Sequence, residues 1–178
     1  MKKMFKKSQI QLAEDIFDMT VPEATSFYQF IVRDKETYDG CENNETIQVT
    51  VLFYLFTFFY DAMVQKYNDE DSFKVMYTLV ASSTEIKSTP NECFRRFLTL
   101  LEERNKVIDS DRESFEKDEY QVLTQILFSF IIKDKDLLLK HLKTSFTNCS
   151  SFKMIKMYME TFRENLPINF ELYDLRKK

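Results

Sequence analysis

The sequence predicts an all-α protein: a compact, irregular bundle of about eight helices around one central hydrophobic helix at about 45–67. Three observations carry that expectation. The 178 residues include one glycine, Gly40, and three prolines, so the tight turns that a multi-stranded sheet needs are not supplied; Asp39-Gly40 is the sole signal of that kind. Apolar residues, 44% of the chain and rich in Phe, Tyr, Met and Leu, recur at helical spacing. Polar joints separate these segments at irregular intervals, with no repeat and no linker rich in Gly, Pro or Ser. Residues 1–178 therefore read as a single all-helical domain, long enough to bury a core.

The elements follow in order. A first helix from about Ser8 to Met19 puts Ile10, Ala13, Ile16 and Phe17 on one side, with Ser8 as N-cap. Pro22 is expected to break it, and a second helix runs from about Pro22 to Lys35 with Phe27, Phe30 and Ile31 as its stripe. The polar stretch Asp34–Glu45 reads as a loop. The third helix, Glu45–Tyr67, is apolar nearly all round, which requires neighbours on every side. Asn68–Ser72 punctuates before a helix that carries Phe73, Met76, Tyr77, Leu79 and Val80 and ends near Ser82–Thr84. Thr89-Pro90-Asn91-Glu92 has the pattern of a capping box with Pro at the first helical position; it opens a helix through Phe94, Phe97, Leu98 and Leu101. An acidic connection spans Asp109–Glu119, with Ser110 to Glu113 as another candidate box. Further helices are expected at Tyr120–Ile132, Asp136–Phe146 and Cys149–Asn165, then a tail from Pro167 whose Phe170, Leu172 and Leu175 dock back on the body.

The run Ile47–Tyr60 contains no charge, yet it is fourteen residues long and closed by Asp61. A membrane span needs about 20 apolar residues, so this run is read as the core helix of a soluble bundle, with no membrane role. The basic start, with Lys2, Lys3, Lys6 and Lys7, lacks the apolar segment of a signal peptide, and cytoplasmic residence is the default. Cys41, Cys93 and Cys149 contain no CxxC pair and read as free thiols. A net charge of −4 with interspersed signs gives no general attraction to nucleic acid or anionic membrane.

One glycine excludes the P-loop and the dinucleotide fingerprint, and one histidine excludes HExxH and any paired-His site. His141 would need one of the three cysteines beside it to act as a base. The acids Asp109, Asp111 and Glu113 fit the first positions of an EF-hand loop, but Ser114 stands where Gly is required and Tyr120 where Glu is required. No cofactor or metal is expected.

Thr25-Ser26-Phe27-Tyr28-Gln29-Phe30, followed by Asp34-Lys35-Glu36, resembles the end of the recognition helix in TetR-type repressors. The resemblance covers about a dozen residues, lacks the Gly before Ser26, has one extra residue before the Asp-Lys-Glu, and leaves little chain upstream for two further helices. It implies a ligand-gated regulator.

The leading expectation is a non-enzymatic protein that binds another protein, in the manner of an inhibitor or immunity protein. The alternative is a helical small-ligand binder or ligand-gated regulator. Phe56, Phe59, Met63 and Phe97 are the candidates for a pocket or an interface, and Asp109, Asp111, Glu113 and Glu116 for an acidic surface that faces a partner.

Overall fold

The computed structural model describes residues 6–83, 88–166 and 168–178. Among these the chain forms nine α-helices and no strand: α1 (Gln9–Arg33), α2 (Lys35–Asp39), α3 (Asn44–Lys66), α4 (Asp69–Ser82), α5 (Pro90–Ser110), α6 (Arg112–Lys117), α7 (Glu119–Ile131), α8 (Lys135–Lys143) and α9 (Ser150–Glu164). A 3-10 turn, Phe170–Leu172, leads into the tail.

α1 runs unbroken through Pro22, where the sequence predicts two helices. The physical reason lies in its buried face. Leu12, Ala13, Ile16, Thr20, Ala24, Phe27 and Ile31 make one continuous stripe at intervals of three and four residues, and Pro22 sits on the opposite, exposed side. An interior proline costs about 3 kcal/mol. Burying Phe27 and Ile31 beyond it returns about 3–6 kcal/mol, so packing wins. This continuity also removes the helix-turn-helix implied by the TetR resemblance: Thr25–Phe30 lies in the second half of one 25-residue helix, with no turn before it.

The stretch predicted as a loop contains α2, which Asp34 starts by accepting the Thr37 N–H at 3.4 Å. It buries only Thr37, so it has no apolar periodicity by which it could be recognised. Gly40 ends it in an ordinary right-handed conformation, φ −90°. Gly40 lets α8 approach closely: a Cβ would lie 2.2 Å from Leu137 Cδ2, so any larger residue would require the Leu137 side chain to move.

α3 is buried on every side through its middle, from Val49 to Phe59, and packs against α1, α4, α5 and α7, while α9 closes over α1 and α7. Asn43 caps α3 through the Thr46 N–H at 3.0 Å, and Lys66 in the last turn suits the helix dipole. By length and composition α3 would also cross a membrane; here its apolar surface is taken up by its neighbours. Two polar ties cross this core. Tyr54 donates to the Leu123 carbonyl on α7 at 2.6 Å, and the buried Arg104 of α5 donates to Thr57 at 2.6 Å and Asp61 at 2.7 Å on α3.

The capping box at Thr89 forms, with Glu92 accepting the Thr89 N–H at 2.8 Å. The acidic connection predicted at 109–119 is instead the end of α5 plus α6, and its cap is Asp111 rather than Ser110: Asp111 accepts from Ser114 N–H, while the Ser110 hydroxyl turns back to the Val107 carbonyl. The tail docks with Phe170 and Leu175 buried and Leu172 exposed. Lys7 pairs with Tyr173 and Tyr67 with Lys177 in isolated bridges, and Arg176 donates to the buried Asp71 carboxylate at 2.8 Å. Pro167, expected to start the tail, and Thr84, an expected end of α4, lie outside the described residues.

Candidate functional site

The continuous α1 creates a second stripe beside its deep one. Phe17, Val21, Ala24 and Tyr28 recur at helical intervals and, with Thr25, form one wall of a cleft. α3 supplies the facing wall with Glu45, Gln48, Val49 and Leu52, and Ser82 and Ser83 from α4 close one end. The cleft encloses about 490 Å³, within the range of small-molecule sites.

Its polarity is lower than its composition suggests. The Thr25 hydroxyl donates to the Val21 carbonyl, Ser82 to Thr78 and Ser83 to Leu79, all at 2.9–3.0 Å within their own helices. Those donors are spent on backbone. Glu45 and Gln48, on the exposed first turns of α3, make no side-chain hydrogen bond among the described residues and supply the cleft's acceptors. An apolar body with a donor or cationic end would suit these walls.

The four residues nominated from sequence do not line it. Phe56, Phe59, Met63 and Phe97 are 0% exposed and belong to the central core, away from the cleft's walls. Phe97 packs edge-on to Phe53 and Tyr60, and Phe59 edge-on to Phe162. Sequence pattern ranks residues by hydrophobicity, and the most apolar positions of the most apolar helix go to the centre. The signal that would have found the cleft is the Phe17–Tyr28 stripe, which a break at Pro22 conceals.

The acidic group is exposed and lies at a helix junction. Asp109 lies in the last turn of α5, Asp111 caps α6, Glu113 sits in its first turn and Glu116 pairs with Arg112 at 3.4 Å. α6 buries no residue, so the acidic group stands on the surface. Among the described residues no group of three or more His, Cys, Asp or Glu is placed to hold a metal ion.

His141 and the cysteines do not assemble a nucleophile. His141 stacks on Phe146 with ring centroids 5.1 Å apart, and its buried Nε2 has no hydrogen-bond partner among the described residues. Burial holds its pKa below the ordinary value. The Cys149 thiol contacts Thr37 at 3.3 Å, Ser151 at 3.2 Å and Asp34 at 3.5 Å instead. Burial pushes Cys41 up to about 12 and raises Cys93 and Cys149 as well, opposite to the shift that activates a thiol. Comparison of the chain with protein families, with curated proteins and with solved structures finds no match.

Proposed function

We propose that this chain is a non-enzymatic, cytoplasmic binding protein whose α1/α3/α4 cleft receives an amphipathic small molecule. The observation that carries the reading is the apolar-walled cleft of about 490 Å³ in which the Thr25, Ser82 and Ser83 hydroxyl donors are already satisfied. The guest's hydrocarbon body lies against Phe17, Val21, Tyr28 and Leu52, and its donor or cationic end meets Glu45 and Gln48. Activation of the thiols is opposed by their surroundings, which favours binding over chemistry.

Decylamine is a suitable probe, with decanoate for contrast. The chain has no Trp, so Val21→Trp places a single indole at the cleft rim. Saturable blue-shifted emission with decylamine, weaker with decanoate and abolished by adding Ala24→Phe, is the expected result. Emission that ignores decylamine, or a response unaffected by Ala24→Phe, overturns the reading.

A second reading, binding of another protein, draws support from an exposed aromatic group on α4. Phe73 and Tyr77 are 44% and 38% exposed and pack edge-on against Phe94. Aromatic anchors of this kind dominate interface energies. The double variant Phe73→Ala, Tyr77→Ala should then lose a stoichiometric partner that the parent chain retains from native lysate, while its thermal midpoint stays close to the parent's.

A further inference from the structure

A second cleft, of about 350 Å³, lies between α3 and α5, on the other side of Val49 from the first. One wall carries Thr46, Val49, Thr50 and Phe53 of α3, and the other Arg95, Arg96, Thr99, Leu100 and Glu103 of α5, with Phe130 of α7 between them.

The threonines set this cleft apart. Elsewhere in the described helices the Thr hydroxyls are used. Thr20, Thr25, Thr78, Thr124 and Thr161 each donate to the carbonyl four residues earlier, Thr57 to the carbonyl three earlier, and Thr37 meets the Cys149 thiol. Of the threonines within the described helices, Thr46, Thr50 and Thr99 alone have no hydroxyl partner among the described residues, and all three line the same cleft. Thr50 is only 8% exposed as a residue, yet its hydroxyl is open to the cleft rather than sealed from solvent, and so is free to bond a ligand there.

The guanidiniums agree. Arg104, Arg112, Arg163 and Arg176 are all in ion pairs; Arg33, Arg95 and Arg96 are in none among the described residues, and of these three Arg95 and Arg96 line the cleft. The neighbouring Glu92 carboxylate is committed to the Thr89 N–H and hydroxyl. Glu103 lies seven residues beyond Arg96, about 10 Å along the helix, and sets the opposite sign at the far end.

The geometry points to a binding site for a small oxyanion with an apolar body: a phosphate or carboxylate head on Arg95, Arg96 and the three threonine hydroxyls, and a hydrocarbon or ring against Phe53, Leu100 and Phe130. Glu103 disfavours a ligand with a second anionic group at its other end. The volume suits a soluble small molecule and is too small for a two-chain lipid. This site is independent of the one proposed for the first cleft and of opposite charge preference.

Phenyl phosphate is the probe, with phenol and inorganic phosphate as controls at ionic strength matched by sodium chloride, followed by amide NMR shifts on the full chain. Saturable shifts at Thr46, Thr50 and Thr99 are expected with a Kd of about 1 mM or tighter, stronger for phenyl phosphate than for either control. The exposed pair Arg95→Gln, Arg96→Gln should weaken binding roughly tenfold or more, and Thr50→Val several-fold, with the remaining spectrum unchanged. Shifts reproduced by sodium chloride or phenol, or an affinity unaltered in the double arginine variant, overturn the site.

Discussion

Ser145 and Phe146 both take positive φ angles, 49° and 56°, in a chain whose single glycine lies elsewhere. Left-handed backbone costs an L-residue about 1–2 kcal/mol. For Phe146 that cost is offset by full burial, its ring stacked between Phe152 at 4.2 Å and His141 at 5.1 Å. Ser145 is exposed and gains no comparable contact. Ser145→Gly should therefore stabilise the fold by about 0.5–1 kcal/mol, read as a raised urea midpoint at unchanged slope. His141 offers a second test. Because burial lowers its folded-state pKa, folding favours the neutral ring. Its contribution is complete above the ordinary value of 6.5 and is lost as pH falls through the lower folded value. Urea midpoints measured from pH 7 to pH 5 should decline, and His141→Phe should flatten that decline without loss of stability at pH 7. A slope equal to the parent's would assign the dependence to other groups.

At the scale of elements, Pro22 gives the clearest prediction. Pro22→Ala restores an N–H to the α1 ladder and removes the ring's clash, a gain of up to about 3 kcal/mol reduced by a more flexible unfolded chain. A net stabilisation of about 1–2 kcal/mol is expected in thermal or urea unfolding, and a destabilised variant would mean that α1 depends on the irregularity. The same residue explains what the sequence reveals and what it hides. Helices with strong local signals are legible: the Thr89 capping box and the apolar length of α3. α2 is not, because a five-residue helix with one buried side chain leaves no pattern. α1 is misread because a local rule about proline is overridden by a stripe visible only once both halves are joined. The cleft inherits that error, since its α1 wall crosses Pro22. Its α3 wall, Glu45 to Leu52, escapes notice for another reason: helical spacing shows which residues share a face, but not which neighbour fails to cover it.

Across the whole molecule, the tail and several carboxylates act together. Asp71 is held well below the usual carboxylate range by hydrogen bonds from the Arg176 side chain, which outweigh its burial. Asp15 is lowered by the Tyr173 hydroxyl and by Lys7. Burial raises Asp34 and Asp118, but donors from Ser151 and Ser150 in one case and Lys156 in the other bring both below the ordinary value. Groups of this sign contribute stability that is complete above the unfolded value of 3.8 and lost as pH falls through the lowered folded values. Acid unfolding followed by circular dichroism should accordingly begin below about pH 4. Arg176→Ala should move its onset upward and speed hydrogen exchange at the Arg176 and Asp174 amides, while exchange in α3 stays slow. An onset that does not move would show that the tail contributes nothing to acid resistance.

Lys7 and Tyr173 run side by side in the parallel sense, joined by the Lys7 N–H to the Leu172 carbonyl and the Asp174 N–H to the Lys7 carbonyl, both at 2.9 Å. The tail's other ties go to Lys66, at the end of α3, and to Asp71 of α4, so the last residues join the start of α1 to the α3–α4 corner. A pull on the two ends would therefore be shared by a few surface hydrogen bonds and passed directly to three helices.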